Sequence, residues 1–190
     1  AVGAAQGMTG QDVCAVICSP LVIKMVSIYE SVEDGSVKVT SGTYTDMAEL
    51  MTTMVRSVGF SQFISLVPFT ADDSPRYVGI DLKREWILHV LHAALRLGPA
   101  SLCDFAVCIL SRITDCQDAL QNPTKEGMSP GQVHMTKTRI LQLWSLFPDF
   151  CYYGSPDVEM FFPRLLPQLE TALKAGNSGL DGTKEIVTHV

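Results

Sequence analysis

Charge is scarce in this chain: only 18% of its 190 residues are charged, against 47% hydrophobic. A disordered chain needs the reverse balance, so general disorder is excluded. Glycine-rich phosphate cradles are missing, since neither GxGxxG nor GxxxxGK[ST] occurs, and the usual nucleotide-binding signatures go with them. No apolar run reaches membrane-span length unbroken; the best candidate, Val13 to Tyr29, contains Pro20 and Lys24. Basic residues are outnumbered, and a net charge of −6 has the wrong sign for a major nucleic-acid groove. Lys137 with Arg139, and Lys83 with Arg84, are too few to form a basic patch and read as solvated helix faces. Aromatics, at 8%, fall mostly on apolar stripes, which favours packing over base stacking.

What is present is a chain of amphipathic helices long enough to bury a real core. The spacing predicts helices over 20–31, with Ser19-Pro20 as the start, and from Asp46 with Glu49 as a capping-box pair. That second helix carries Met47, Leu50, Met51, Met54, Val55 and Val58 on one face as far as Gly59. Residues 31–45 read as a polar loop around Asp34-Gly35, and 60–69 as a short helix closed by Pro68. Further on, Leu82, Trp86, Val90, Ala93 and Leu97 mark a helix ending at Gly98, and Pro99 opens one with Leu102, Phe105, Ile109, Ile113, Cys116 and Leu120. After the loop at 122–131 come a helix with Val133, Ile140, Leu143, Trp144 and Phe147, and another with Val158, Phe161, Phe162, Leu165, Leu166, Leu169 and Leu173. Pro163 and Pro167 are expected to kink that last helix or delay its start.

Two helix–turn–helix units follow, about 81–121 and 131–175, their starts roughly 50 residues apart and slightly longer than a ~40–47-residue HEAT-type period. The helix at 82–97 also carries Ile87, Leu88, Leu91 and Leu95, more apolar surface than an isolated hairpin can hide. Stacked neighbours hide it, so the expected fold is an all-α, HEAT/armadillo-like helical-repeat solenoid. Residues 1–59 are assigned as a helical region, 60–175 as the repeats and 176–190 as a flexible tail or linker. A first residue of Ala and a last helical segment without an evident cap suggest a piece of a longer array.

Candidate chemistry is thin. Six cysteines, at 14, 18, 103, 108, 116 and 151, sit mainly in apolar runs with no signal peptide ahead of them and read as reduced, buried, intracellular thiols. His89 and His92 with Cys103 and Cys108 could compose a zinc site, but core-type residues lie between them instead of CxxC or HxxxH knuckles, and no metal is expected. Cys151 with His134 or His89 lacks any framing helix start, oxyanion loop or positioned acid. Asp72-Asp73 and Asp115/Asp118 are explained by solvation and capping. No catalytic residue, cofactor or small-molecule substrate is expected. Tyr152 and Tyr153, placed in a turn, are the candidates for contact with a partner.

The most informative stretch is LQLWSLFPDFCYYGSPD, from Leu141 to Asp157. With its continuation VEMFFPRLLPQLETAL it resembles the helical repeat of the ribosomal RNA-processing protein 12-like family. The likeness is carried by Leu143-Trp144, Leu146, Pro148, Phe150-Cys151 and Pro156-Asp157 ahead of an apolar helix. Upstream, SPRYVGIDLKREWILHVLHAAL and SLCDFAVCIL resemble the linker and helices that precede it, so the likeness runs from about Phe60 to Lys174. Asp149 stands where the family has a small residue, often Gly, and Pro163 and Pro167 fall in a normally uninterrupted helix, which marks a divergent member. The resemblance implies a non-catalytic scaffold of the nucleolus, contacting assembly proteins within precursors of the small ribosomal subunit. Direct contact with pre-ribosomal RNA is not favoured for so acidic a segment. The rival reading is an importin-like transport or adaptor solenoid that binds peptide segments.

Burial of Trp144 follows from its place on the apolar stripe. Trp144→Ala is expected to cost roughly 3–5 kcal/mol in urea unfolding; a near-neutral value would put the ring in solvent.

Overall fold

Helical spacing governs the backbone as it governs the sequence. The computed structural model describes residues 10–33, 35–71, 73–98 and 100–177 and, within them, the side chains of 19–32, 35–71, 73–98 and 100–171. Every regular element among these residues is helical. None of the described helices is long and apolar enough to cross a membrane. The chain divides after Pro68 into two compact units.

The first unit holds α1 (Gly10–Glu33), α2 (Ser41–Val58) and α3 (Phe60–Leu66). Pro20 was expected to start a helix, yet it lies inside α1. The helix runs through it because Val22, Met25 and Tyr29, three and four residues apart, are buried on one face. The segment before α2 is a loop, as read. That helix, however, begins five residues earlier than Asp46: Thr40 is its N-cap, its hydroxyl accepting from Thr43 N–H at 3.2 Å. Met47, Met51, Met54, Val55 and Val58 form its buried face, whereas Leu50, assigned to that face, is exposed. Gly59 then turns the chain at φ +89° into α3, which buries Phe60 and Phe63.

The second unit contains a 3₁₀ turn (Leu82–Arg84), α4 (Trp86–Leu95), α5 (Leu102–Asp104), a π-helical segment (Phe105–Leu110) and α6 (Ser111–Gln121). After a loop come α7 (Pro130–Trp144), α8 (Phe147–Cys151) and α9 (Val158–Asn177). In α4 the buried residues are Trp86, Ile87, Leu88, Val90, Leu91, Ala94 and Leu95, so the helix is enclosed on most sides. The narrow stripe drawn through Leu82, Ala93 and Leu97 is corrected, since all three are exposed. The next stripe holds at Leu102, Phe105, Ile109, Ile113 and Cys116, each fully buried. In α7 the stripe shifts: Thr136, Arg139, Leu143 and Trp144 are buried, while Val133 and Ile140 are half-buried. Neither Pro163 nor Pro167 interrupts α9. Both lie on its exposed side with Glu159, so carbonyls deprived of an N–H partner are left to solvent.

Most of the long-range polar contacts between successive helical units share one property. Tyr77 pairs with Gln132, Glu85 with Arg139, His92 and Arg96 with Asp149, and Ser101 with Asp157, at sequence separations between 53 and 57. A hairpin would hold the sum of the two positions constant. Here the difference is nearly constant, so one helical unit lies parallel and in register with the next, as in a repeat stack.

Gly79 shows how closely the loop ahead of α4 approaches α6 and α7 within the second unit. Its φ of +70° is left-handed, and a Cβ there would sit 3.1 Å from Cys116 Sγ and 3.2 Å from Arg139 Cβ. Gly79→Ala is therefore expected to destabilise by about 1–3 kcal/mol. The midpoint of urea unfolding, followed by Trp fluorescence, reads it.

Candidate interaction site at the aromatic corner

The corner is built by a well-capped helix running into a proline. Ser129 and Gln132 close a capping box at the start of α7, with Pro130 in its first turn. The helix ends at Trp144, and α8 restarts at Phe147 with Pro148 in its first turn, where a missing N–H costs nothing. This geometry points Trp144, Phe147 and Phe150 at one ring on the preceding repeat. Phe105 lies 5.7, 5.0 and 5.3 Å from their centroids in tilted or edge-on arrangements. Leu143 and Leu146 are fully buried beside them in the chain. The indole Nε1 of Trp144 is buried without an acceptor among the described residues, so this side chain contributes by packing.

Asp149, only 4% exposed, answers two donors at the C-terminal end of α4, one in the helix and one in its cap. Its Oδ2 meets His92 Nδ1, and its Oδ1 accepts from Arg96 Nε at 2.6 Å. A buried carboxylate survives where its lone pairs are used in this way. The hydrogen bond to Asp149 also raises the Arg96 guanidinium above its ordinary value. His92 and Arg96 at i and i+4 share a helix face. That spacing was the available signal for this cluster, and it was missed, His92 having been weighed as a metal ligand. Among the described residues no group of three His, Cys, Asp or Glu is placed to hold a metal ion. His89 is exposed, and Cys103 and Cys108 are half-buried.

A second polar knot fastens the chain beyond the corner. Asp157 accepts from Leu102 N–H and Cys103 N–H at 2.9 Å each and from the Ser101 hydroxyl at 2.7 Å. Ser155 also donates to Asp157, and its oxygen accepts from Leu102 N–H at 2.9 Å. The Ser155-Pro156-Asp157 turn thus caps the N-terminus of the helical run opening at α5, more than fifty residues earlier, where a carboxylate also meets the positive end of the helix dipole.

Cys151 is half-buried, and burial pushes its thiol upward; Cys116, fully buried, is pushed up to about 11. Both shifts run opposite to thiolate activation. The reading of all the thiols as buried is corrected: Cys103, Cys108 and Cys151 are half-buried, and the side chains of Cys14 and Cys18 lie outside the described residues. Arg139 is a further correction. Read as a solvated face, it is 3% exposed and donates from Nη1 to Glu85 and to Gln142. Gln142 and Arg139 together hold the Glu85 carboxyl below its ordinary range.

Past α8 the surface turns apolar. Tyr152 and Tyr153, 68% and 53% exposed, stand edge to face with centroids 4.9 Å apart. Val158, Met160, Phe162 and Leu166 of α9 are exposed too, and of the stripe expected on this helix Leu165 is fully buried.

Such a surface on stacked helices suits a repeat protein, and a comparison with known families gives the same answer. The family described as "Ribosomal RNA-processing protein 12, HEAT repeats" matches residues 11–179. The chain belongs to this family. No curated protein and no solved structure matches it. The HEAT-repeat match begins well before Phe60, so it takes in the first unit, where no specific likeness had been read. It also spans Leu143, Trp144, Leu146, Pro148, Phe150, Cys151, Pro156 and Asp157. In this family member those residues occupy distinct places: Leu143, Trp144, Leu146 and Phe150 in the core, Pro148 and Cys151 half-buried, Pro156 exposed and Asp157 at the remote cap.

Burial acts to raise the Asp157 carboxyl, but its donors Ser155, Ser101, Cys103 and Leu102 outweigh it and hold the group well below the usual carboxylate range. A depressed folded value means the stabilisation is complete above the unfolded pKa of ~3.9 and is lost as pH falls below it. Asp157→Ala is expected to cost about 1–2 kcal/mol at neutral pH. The gap to the parent should narrow as pH drops below about 4, measured by urea unfolding across the pH series.

Proposed function

We propose that this chain is a non-catalytic helical-repeat scaffold acting in ribosomal RNA processing, within assembling small-subunit particles of the nucleolus. The family match supports the process. The observation that carries the scaffold reading is the exposed apolar run from Tyr152 to Leu166, on a segment whose neighbour α8 is packed into the core. Exposed aromatics and a Met, held on a rigid corner, are the composition of protein-contact surfaces. A net charge of −6 favours assembly proteins over pre-ribosomal RNA as what this segment touches. Tyr152 and Tyr153 are the proposed contact residues, with Asp149 fixing the turn that presents them.

The tagged chain is expected to co-sediment with small-subunit precursors. Tyr152→Ala with Tyr153→Ala should lower that association at least about fivefold, the size of a small hot spot, with unchanged circular dichroism and unfolding midpoint. Absence from the particles would sink the assembly reading, and full association of the double variant would remove the Tyr contact. Binding to a small GTPase in a nucleotide-dependent manner would replace both with the transport reading.

A further inference from the structure

The dipeptide Ser-Pro occurs four times, at residues 19–20, 74–75, 129–130 and 155–156. A serine followed by proline is the acceptor motif of proline-directed protein kinases: the proline nitrogen carries no N–H to satisfy, and the ring biases the serine towards extended backbone. An acceptor serine must also present its hydroxyl and lie in chain that can extend through the kinase cleft. The fold meets these conditions at one of the four.

Ser155 is 7% exposed, its oxygen accepting from Leu102 N–H while its hydroxyl donates to Asp157, so freeing it undoes the cap of α5. A phosphoryl group there would also face the Asp157 carboxylate. Ser74 is half-buried and donates to another carboxylate, Asp81 Oδ1, at 3.2 Å. Ser19 is half-buried inside α1, where the helical ladder holds the backbone out of the extended form.

Ser129 differs on each count. It is exposed, and its backbone is already extended, at φ −71° and ψ 160°. Its oxygen accepts from Gln132 N–H at 3.3 Å, while its own proton goes to no acceptor among the described residues. Pro130, Gly131 and Gln132 are exposed as well, and a glycine in the first turn lets that turn open at low cost. The nearest carboxylate in the chain, Glu126, is ion-paired with Arg76. The product fits too: phosphoryl oxygens on this residue would meet the first N–H groups and the positive end of the 15-residue α7.

We propose that Ser129 is a phosphoacceptor for a proline-directed serine/threonine kinase, and that the phosphorylated residue remains the N-cap of α7. The γ-phosphoryl of ATP passes to Ser129 Oγ. An Oγ–P bond forms, the bond to the bridging oxygen of the departing ADP breaks, and the hydroxyl proton goes to the catalytic carboxylate of the kinase. The site does not depend on the assembly reading, since it needs neither a pre-ribosomal particle nor the tyrosine pair.

The test incubates the 190-residue chain with a cyclin-dependent kinase and Mg-ATP and maps the product by tandem mass spectrometry. Four synthetic peptides, one around each Ser-Pro, run alongside. All four peptides are expected to accept phosphate, and the folded chain to accept it at Ser129 alone. Pro130→Ala, which keeps the Ser129 hydroxyl, should abolish transfer. No transfer to Ser129 in the folded chain, equally fast transfer at Ser19, Ser74 or Ser155, or full transfer in Pro130→Ala overturns the proposal. The urea midpoint of the phosphorylated chain should equal or exceed that of the unmodified one; a lower midpoint overturns the capping role.

Discussion

The ring of Phe105 is where the two helical units of the second half become one body. Three rings from the next unit, Trp144, Phe147 and Phe150, converge on it within 6 Å. Each is fully or almost fully buried, so the cluster removes a large apolar area from water at one point. The proline that breaks the helix after Trp144 matters because of this cluster: an uninterrupted helix would carry Phe147 and Phe150 along its axis, away from Phe105. What lies further along the chain inherits its position from that corner, including the tyrosine pair and the start of α9.

Polar groups then decide the register that grease leaves loose. Helix α4 is held near its start by Glu85, bonded to Arg139, and near its end by His92 and Arg96, bonded to Asp149. Asp157 repeats the pattern on the following helix start. All these contacts join residues 53 to 57 apart, so each fixes the same offset between successive units. A slip by one helical position would leave Asp149 and Arg139 buried without partners, a cost of several kcal/mol apiece. The parallel stack is thereby specified by charge at its ends and by rings at its middle.

Much of the architecture could be read from spacing. The helix class, the breaks at Gly59, Pro68 and Gly98, and the buried stripe from Leu102 to Cys116 all follow from three-and-four periodicity and turn residues. The misreadings cluster where tertiary packing overrides a local rule. Pro20 sits within the helix it was expected to start, and Pro163 and Pro167 do not delay the start of α9, because a lost backbone bond is small beside the packing of the flanking residues or is met by solvent. Leu82, Ala93 and Leu97 are exposed, because α4 is enclosed on its other sides and the stripe drawn through them chose the wrong meridian.

The amino-acid order by itself determined the all-α class and the family, since each depends on residue type at short spacing. It also singled out Tyr152 and Tyr153 as turn aromatics. Only the tertiary structure decided that Arg139 and Asp149 are buried and that Asp157 caps a helix opening at residue 102. A charged side chain reads as solvated until its partner is brought to it. Those partners lie more than fifty residues away, a distance over which no local periodicity carries information.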